Sequence, residues 1–209
     1  MILGNLLVFL EKNGQLVVNG SLPLRGKLMG QLRDIKQGLL QEFTQTYGVD
    51  YQETFALVAK MNSIRVLISC AVNLGWDLQQ LDVNNAFLHG DFIEEVYMEI
   101  PPGFSCQKIE GKICKLKKSM YGLKQSPRAW FDRFSWAMLS FGYQQSNADH
   151  TMFIKHCNGK ITILIVYIDD IVVIGDNPEE VSRLKNHLAR EFEIKDLGTL
   201  RYSPVFSGN

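Results

Sequence analysis

The chain has 209 residues, 22 of them basic and 22 acidic, so its formal net charge is zero. With 46% hydrophobic and 21% charged residues, wholesale disorder, collagen and a coiled coil are excluded, and the length suits one domain of ordinary-to-large size or one with ragged ends. Zero net charge argues against holding nucleic acid by bulk charge alone, although a local basic face remains compatible with it.

No segment reaches the roughly 18 apolar residues that a membrane helix needs. The first ten residues, MILGNLLVFL, lack a basic start and run into Glu11, so they do not read as a signal peptide. The expectation is an intracellular, non-secreted chain without a membrane partner. Cys70, Cys106, Cys114 and Cys157 form no C-x-x-C pair, so four reduced thiols are favoured over a zinc site.

Residues 1–42 show no sustained period, only the strand-like runs Leu6–Leu10 and Gln15–Val18 among glycines. A helix is expected from Ser63 to about Asn73, capped by Asn62 and stopped by Gly75. Its apolar face would carry Ile64, Leu67, Ile68, Ala71 and Val72. Leu78 to Phe87 reads as a strand with Leu81 and Val83 on one side and Asp82 and Asn84 on the other. Strands follow at Glu95–Ile100, ended by Pro101-Pro102, and at Lys112–Lys117.

Ser126 as N-cap and Pro127 in the first turn open a helix that runs to Phe141, before Gly142. Thr151–His156 and Ile161–Tyr167 are strands joined at Gly159, and Asp169-Asp170 tips the next hairpin into Ile171–Ile174. Asn177-Pro178-Glu179-Glu180 caps a helix to about Phe192, with its acids on the positive end of the dipole. Glu193–Tyr202 returns as a strand. From residue 78 onward the order is βαββαβ, an α+β fold with an antiparallel sheet and helices on one face.

Three features carry chemistry. Asp169 and Asp170 stand between two apolar strands, where like charges repel unless a cation sits between them; a solvated turn is the plainer alternative. Asp82 lies in mid-strand, where Asp is disfavoured, so it is either an edge or exposed-face residue or a ligand. If its strand adjoins the hairpin, three carboxylates converge as a hard-cation site suited to Mg²⁺ with substrate phosphates. Two such ions would activate a hydroxyl and steady a leaving pyrophosphate. Finally, charge is segregated: Cys106–Arg133 is net +6 and Gln79–Ile100 is net −5. Tyr121, Trp130, Phe131 and Phe134 interleave the basic run. This suits a phosphate-tracking, base-stacking surface, against the alternative of a solvated face with aromatics turned inward, which is preferred for Phe134.

LDVNNAFLHGDFIEEVYMEIPPGF, YGLKQSPRAW, YIDD and FEIKDLGTLRY, in that order, resemble the reverse transcriptase of Ty1/copia-type retrotransposons over residues 43–202. The resemblance implies a polymerase palm and RNA-directed DNA polymerisation by two-metal nucleotidyl transfer. Asp82, Asp169 and Asp170 would be catalytic and, with the Val83 carbonyl, would hold two Mg²⁺ ions, for which Mn²⁺ could substitute. Phe87 would lie under the incoming sugar and exclude a 2′-hydroxyl; Tyr121, Gly122 and Gln125 would line the nucleotide pocket. Ser126, Pro127, Arg128 and Tyr167 would face the template–primer. The implied partners are a primed RNA or DNA template and deoxynucleoside triphosphates. An intact parent polyprotein would add integrase and RNase H domains and work in a cytoplasmic particle.

Two departures inside the matching region are mild: Leu57 stands where the family usually has Pro, and Asn84 where it has Lys. Residues 1–42 and 203–209 depart further. The family's CKWVF-type strand and basic fingers run do not occur, so the fingers are expected to be incomplete and the thumb absent. One-base frame shifts over Val17–Gln41 and in the tail VFSGN would restore family-like segments, which suggests a decayed element. The expected activity is therefore weak or nil. A catalytically inactive relic and a non-enzymatic ferredoxin-like nucleic-acid-binding module stand as the alternatives.

Overall fold

The computed structural model describes residues 7–11, 58–98 and 112–199. In chain order the elements are β1 (Leu7–Glu11), α1 (Met61–Leu74), β2 (Asp77–Val83), a one-turn 3-10 helix (Ala86–His89), β3 (Asp91–Met98) and β4 (Lys112–Lys118). They continue as α2 (Ser126–Ser140), β5 (Gln144–Gln145), β6 (Met152–Cys157), β7 (Lys160–Tyr167), β8 (Asp170–Gly175), α3 (Pro178–Glu191) and β9 (Ile194–Thr199). The class is α+β with antiparallel sheets. No described helix is long and apolar enough to cross a membrane. The rest of segment 1–42, Leu57, the strand end at Ile100 with Pro101-Pro102, Cys106, and the tail from Leu200 with its 203–209 segment lie outside the described residues. Cys70 and Cys157 are free thiols.

The chain divides into two compact units, Met1–Phe55 with Phe87–Trp130, and Ala56–Ala86 with Phe131–Asn209. In the first unit, β1, β4 and β3 form an antiparallel sheet with β4 in the middle. Gly90 opens β3 where space has run out: a Cβ there would stand 2.6 Å from both the Ser119 Oγ and the Trp130 backbone nitrogen. The Gly90 carbonyl accepts from the Ser119 N–H at 2.9 Å, and the Ser119 hydroxyl donates to the Phe87 carbonyl.

The second unit holds a six-stranded sheet in the order β5-β6-β7-β8-β2-β9, antiparallel throughout. The runs Ile163–Val166 and Ile171–Ile174 are continuously apolar rather than alternating because both faces of the sheet are covered. On one face Ile163, Ile165, Val172 and Ile174 pack with Ile64, Leu67 and Ala71 of α1. On the other, Phe153 meets Phe131 and Phe134 of α2, and Phe134 stacks on Phe192 at the end of α3. Each fully buried aliphatic side chain contributes roughly 1.5–3 kcal/mol. α2 and the end of α3 thus lie on one face of the sheet, and α1 covers the opposite one.

Local differences from expectation have local causes. Asn62 is not a cap: α1 starts at Met61, and Lys60, the N-cap, makes no side-chain capping bond. Val72 is 74% exposed, at the margin of the apolar stripe. Strand β2 ends at Val83 rather than Phe87, because Asn85 takes φ 52° and turns the chain into the 3-10 helix. The Ser126 hydroxyl does not cap α2; the Gln125 carbonyl accepts its first bond, from the Ala129 N–H at 3.1 Å. The β6–β7 turn uses Asn158 and Gly159, both at positive φ, the type I′ signature, and Asn177 caps α3 by accepting from the Glu180 N–H at 3.2 Å.

Candidate active site

Strand register builds the site. Tyr167 lies opposite Asp170, so the β7–β8 loop is Ile168-Asp169; Asp169 sits in the turn and Asp170 on the strand. This corrects the expectation that both acids form the tip. Ile168 takes φ 58°, a region that a β-branched residue enters at a cost of about 1–2 kcal/mol. The turn is held from outside by the Val83 N–H, which donates to the Asp169 carbonyl at 2.8 Å.

Asp82 on β2 lies directly opposite Asp170 on β8 and, on its other side, opposite Lys195 on β9. Residues opposed across antiparallel strands share a face, so Asp170, Asp82 and Lys195 form a row across three strands. All three carboxylates are half-buried. Gln80, two residues before Asp82 and so on its face, donates from Nε2 to the Asp170 Oδ1 at 2.9 Å.

Among the described residues, no three His, Cys, Asp or Glu side chains are gathered closely enough to form a metal cage. Asp82 and Asp170 face each other by strand register, and Asp169 is held beside them through its backbone carbonyl. The Asp82–Asp170 pair nevertheless fits Mg²⁺, which keeps several waters and binds through one or two carboxylates and substrate phosphates.

The expected nucleotide-pocket residues belong to the first unit. The Phe87 ring, on the 3-10 helix, lies 4.5 Å from the Tyr121 ring at a 50° tilt. Gly122 takes φ 98°, a turn conformation that suits glycine. Gln125 and Pro127 are half-buried and Arg128 is exposed, whereas Ser126 is fully buried. The Ser126 hydroxyl donates to the Met120 carbonyl at 2.5 Å and accepts from the Met120 N–H at 3.1 Å. Its side chain secures a loop and presents nothing to a surface.

The segregated charge has a structural use that the sequence reading missed. Lys115 of the basic run pairs with Glu95 of the acidic run, and Lys118 pairs with Asp91 at 2.5 Å, each across β3 and β4. The Lys115 ammonium and the Tyr97 hydroxyl both donate to Glu95 and hold its carboxyl below the usual range. Arg133 pairs with Glu191 at 2.6 Å and lies 5.1 Å from the centre of the Trp136 ring. Trp130 and Phe131 are buried, so the stacking surface expected of them is a core, and Phe134 is buried as its inward reading expects.

The burial and pairing of two acids, Asp149 and Glu180, also escaped the sequence reading. Asp149 accepts from the Lys60 N–H at 2.9 Å, at the head of α1, and from the Thr151 N–H and hydroxyl at 3.1 and 2.7 Å. Burial raises its carboxyl, but these donors and the Ser63 hydroxyl outweigh that and hold it below its ordinary value. Glu180 pairs with Lys155 at 2.8 Å and accepts from the Tyr143 hydroxyl at 3.4 Å. Burial and the Glu180 charge push the Tyr143 phenol far up. Lys60 and Lys155, the partners distant in sequence, leave no local signal for these two pairings. Gln80 did leave one, since it lies two residues from Asp82 in a strand.

Residues 30–203 match the family described as reverse transcriptase (RNA-dependent DNA polymerase). The match begins inside segment 1–42. The chain is 38% identical over 205 residues to the retrovirus-related Pol polyprotein from transposon TNT 1-94 of Nicotiana tabacum, covering 90% of this chain and 15% of that protein. It is 39% identical over 174 residues to the corresponding polyprotein from transposon RE1 of Arabidopsis thaliana, covering 83% and 12%. It is 30% identical over 129 residues to the transposon Ty1-BL Gag-Pol polyprotein of Saccharomyces cerevisiae, covering 61% and 7%. The chain belongs to the reverse transcriptase family, in its copia-type branch. It spans between about a fifteenth and a seventh of the length of these relatives.

Proposed function

We propose that this chain forms the palm of an RNA-directed DNA polymerase and carries nucleotidyl transfer on Asp82, Asp169 and Asp170. The observation that carries the reading is the register pair Asp82–Asp170, with Asp169 pinned beside it through the Val83 N–H. The strand order β9-β2-β8-β7, with α2 and α3 on one face, supports the palm assignment. The substrates are a primed RNA or DNA template and deoxynucleoside triphosphates. In a parent polyprotein, integrase and RNase H domains would act on the same nucleic acid.

Mg²⁺, or Mn²⁺ in its place, would be held by the three aspartates and the Val83 carbonyl, and supplies charge neutralisation at phosphate and a more acidic primer hydroxyl. The chain's own residues do the rest. Asp82 and Asp170 present oxygens from adjacent strands, and the β7–β8 turn sets the position of Asp169. Phe87, backed by Tyr121, would offer an aromatic wall to the sugar and select against a 2′-hydroxyl. Gly122 and Gln125 line the nucleotide side. Pro127, Arg128 and Tyr167 meet the template–primer, Arg128 through phosphate.

Single-turnover incorporation on a primed RNA homopolymer tests the proposal. Asp82→Asn and Asp170→Asn each lower it by about 100-fold or more, the several kcal/mol of charge stabilisation at stake. Incorporation by either variant at the wild-type rate would sink the proposal.

A further inference from the structure

Gln80 has no place in the chemistry so far. It is half-buried in the middle of β2, lies opposite Val172 and Gly198, and sends its side chain diagonally to Asp170. An aliphatic side chain of the same length would fill the strand face equally well. What only an amide adds is a donor at 2.9 Å to one chosen oxygen, Oδ1, of a carboxylate that stands opposite a second carboxylate. Unrestrained, two like charges on neighbouring strands turn apart. A donor on Oδ1 resists this, limits the Asp170 rotamer and leaves Oδ2 to a ligand. The logic matches that of metal sites generally, where partners of the ligating carboxylates orient them and their loss weakens metal binding by about 10–100-fold.

We infer that Gln80 is a positioning residue, whose amide orients the Asp170 carboxylate for a hard divalent cation. The inference rests on the reading of Asp170 as a cation ligand. It needs no contact between Gln80 and substrate, and it separates Gln80 from its neighbour Gln79, whose partners across the strands are Val173 and Thr199.

Two measurements on the full chain test it. In metal-free protein, the Gln80 side-chain amide resonances in a ¹H–¹⁵N spectrum shift on Asp170→Asn, because the acceptor loses its charge. Electron paramagnetic resonance titration with Mn²⁺ then compares wild type, Asp170→Asn and Gln80→Met. Wild type binds, Asp170→Asn loses binding, and Gln80→Met binds about 10-fold more weakly with an unchanged thermal midpoint. A packing role alone would instead lower the midpoint and leave the affinity of the folded protein intact, which would overturn the inference. Wild-type affinity in Gln80→Met, with Asp170→Asn inactive in binding, overturns the positioning role and leaves the cation site standing. Failure of wild type itself to bind Mn²⁺ overturns the site and the inference together.

Discussion

Replacing Asp149 by Ala should destabilise the second unit more than any change at the candidate site. The side chain accepts from two backbone N–H groups and two hydroxyls, and the Lys60 N–H it takes stands at the head of α1, where no local side chain caps. Loss of an N-cap costs about 0.5–2 kcal/mol, and a buried donor left without its partner about 1–3 kcal/mol. These contributions overlap because the donors share one carboxylate, so the expected total is about 3–4 kcal/mol. Asp149→Asn keeps one acceptor oxygen and should cost about 1–2 kcal/mol. Urea unfolding followed by tryptophan fluorescence reads both, since Trp76 packs beside α1. The pH dependence follows from the lowered carboxyl. The folded group has the lower pKa, so its stabilisation is complete above the unfolded value of about 3.9 and fades as pH falls through the folded value. The gap between wild type and Asp149→Asn should therefore be constant from about pH 5 to 7 and shrink below about pH 4. A cost under about 1 kcal/mol for Asp149→Ala, or a gap that widens in acid, would refute the reasoning.

Other substitutions test other parts. Gly90→Ala places a Cβ 2.6 Å from a backbone nitrogen that cannot give way, so the first unit should lose about 1–3 kcal/mol in the same denaturation assay. Lys155→Met leaves the buried Glu180 charge only Arg183 at 3.6 Å and the Tyr143 hydroxyl and should cost about 3 kcal/mol, most of it recovered by adding Glu180→Leu; a double variant no more stable than the single would contradict this. Phe87→Ala should narrow deoxynucleotide over ribonucleotide preference in primer extension while leaving the metal requirement unchanged.

Elements with local punctuation were legible in the sequence. Asn177-Pro178 starts α3, Asn158-Gly159 turns β6 into β7, and Gly75, at φ 65°, ends α1. What was not legible depends on pairing across long stretches of chain. Asp170 left the hairpin tip because register opposite Tyr167 put it on β8, and no property of the dipeptide says which acid turns. The charge blocks suggested a nucleic-acid face, but Glu95 and Lys115 are 20 residues apart and meet only when β3 and β4 pair. Asp149 and Lys60 are 89 apart. The candidate site was more legible than its supports, since carboxylates between apolar strands are conspicuous and their hydrogen-bond partners are ordinary residues.

Crystals soaked in Mn²⁺ and measured at a wavelength where manganese scatters anomalously test the central claim most directly. An anomalous peak is expected within about 2.0–2.6 Å of carboxylate oxygens of both Asp82 and Asp170. A protein whose strands are in the register described, with manganese bound elsewhere or nowhere, would contradict it.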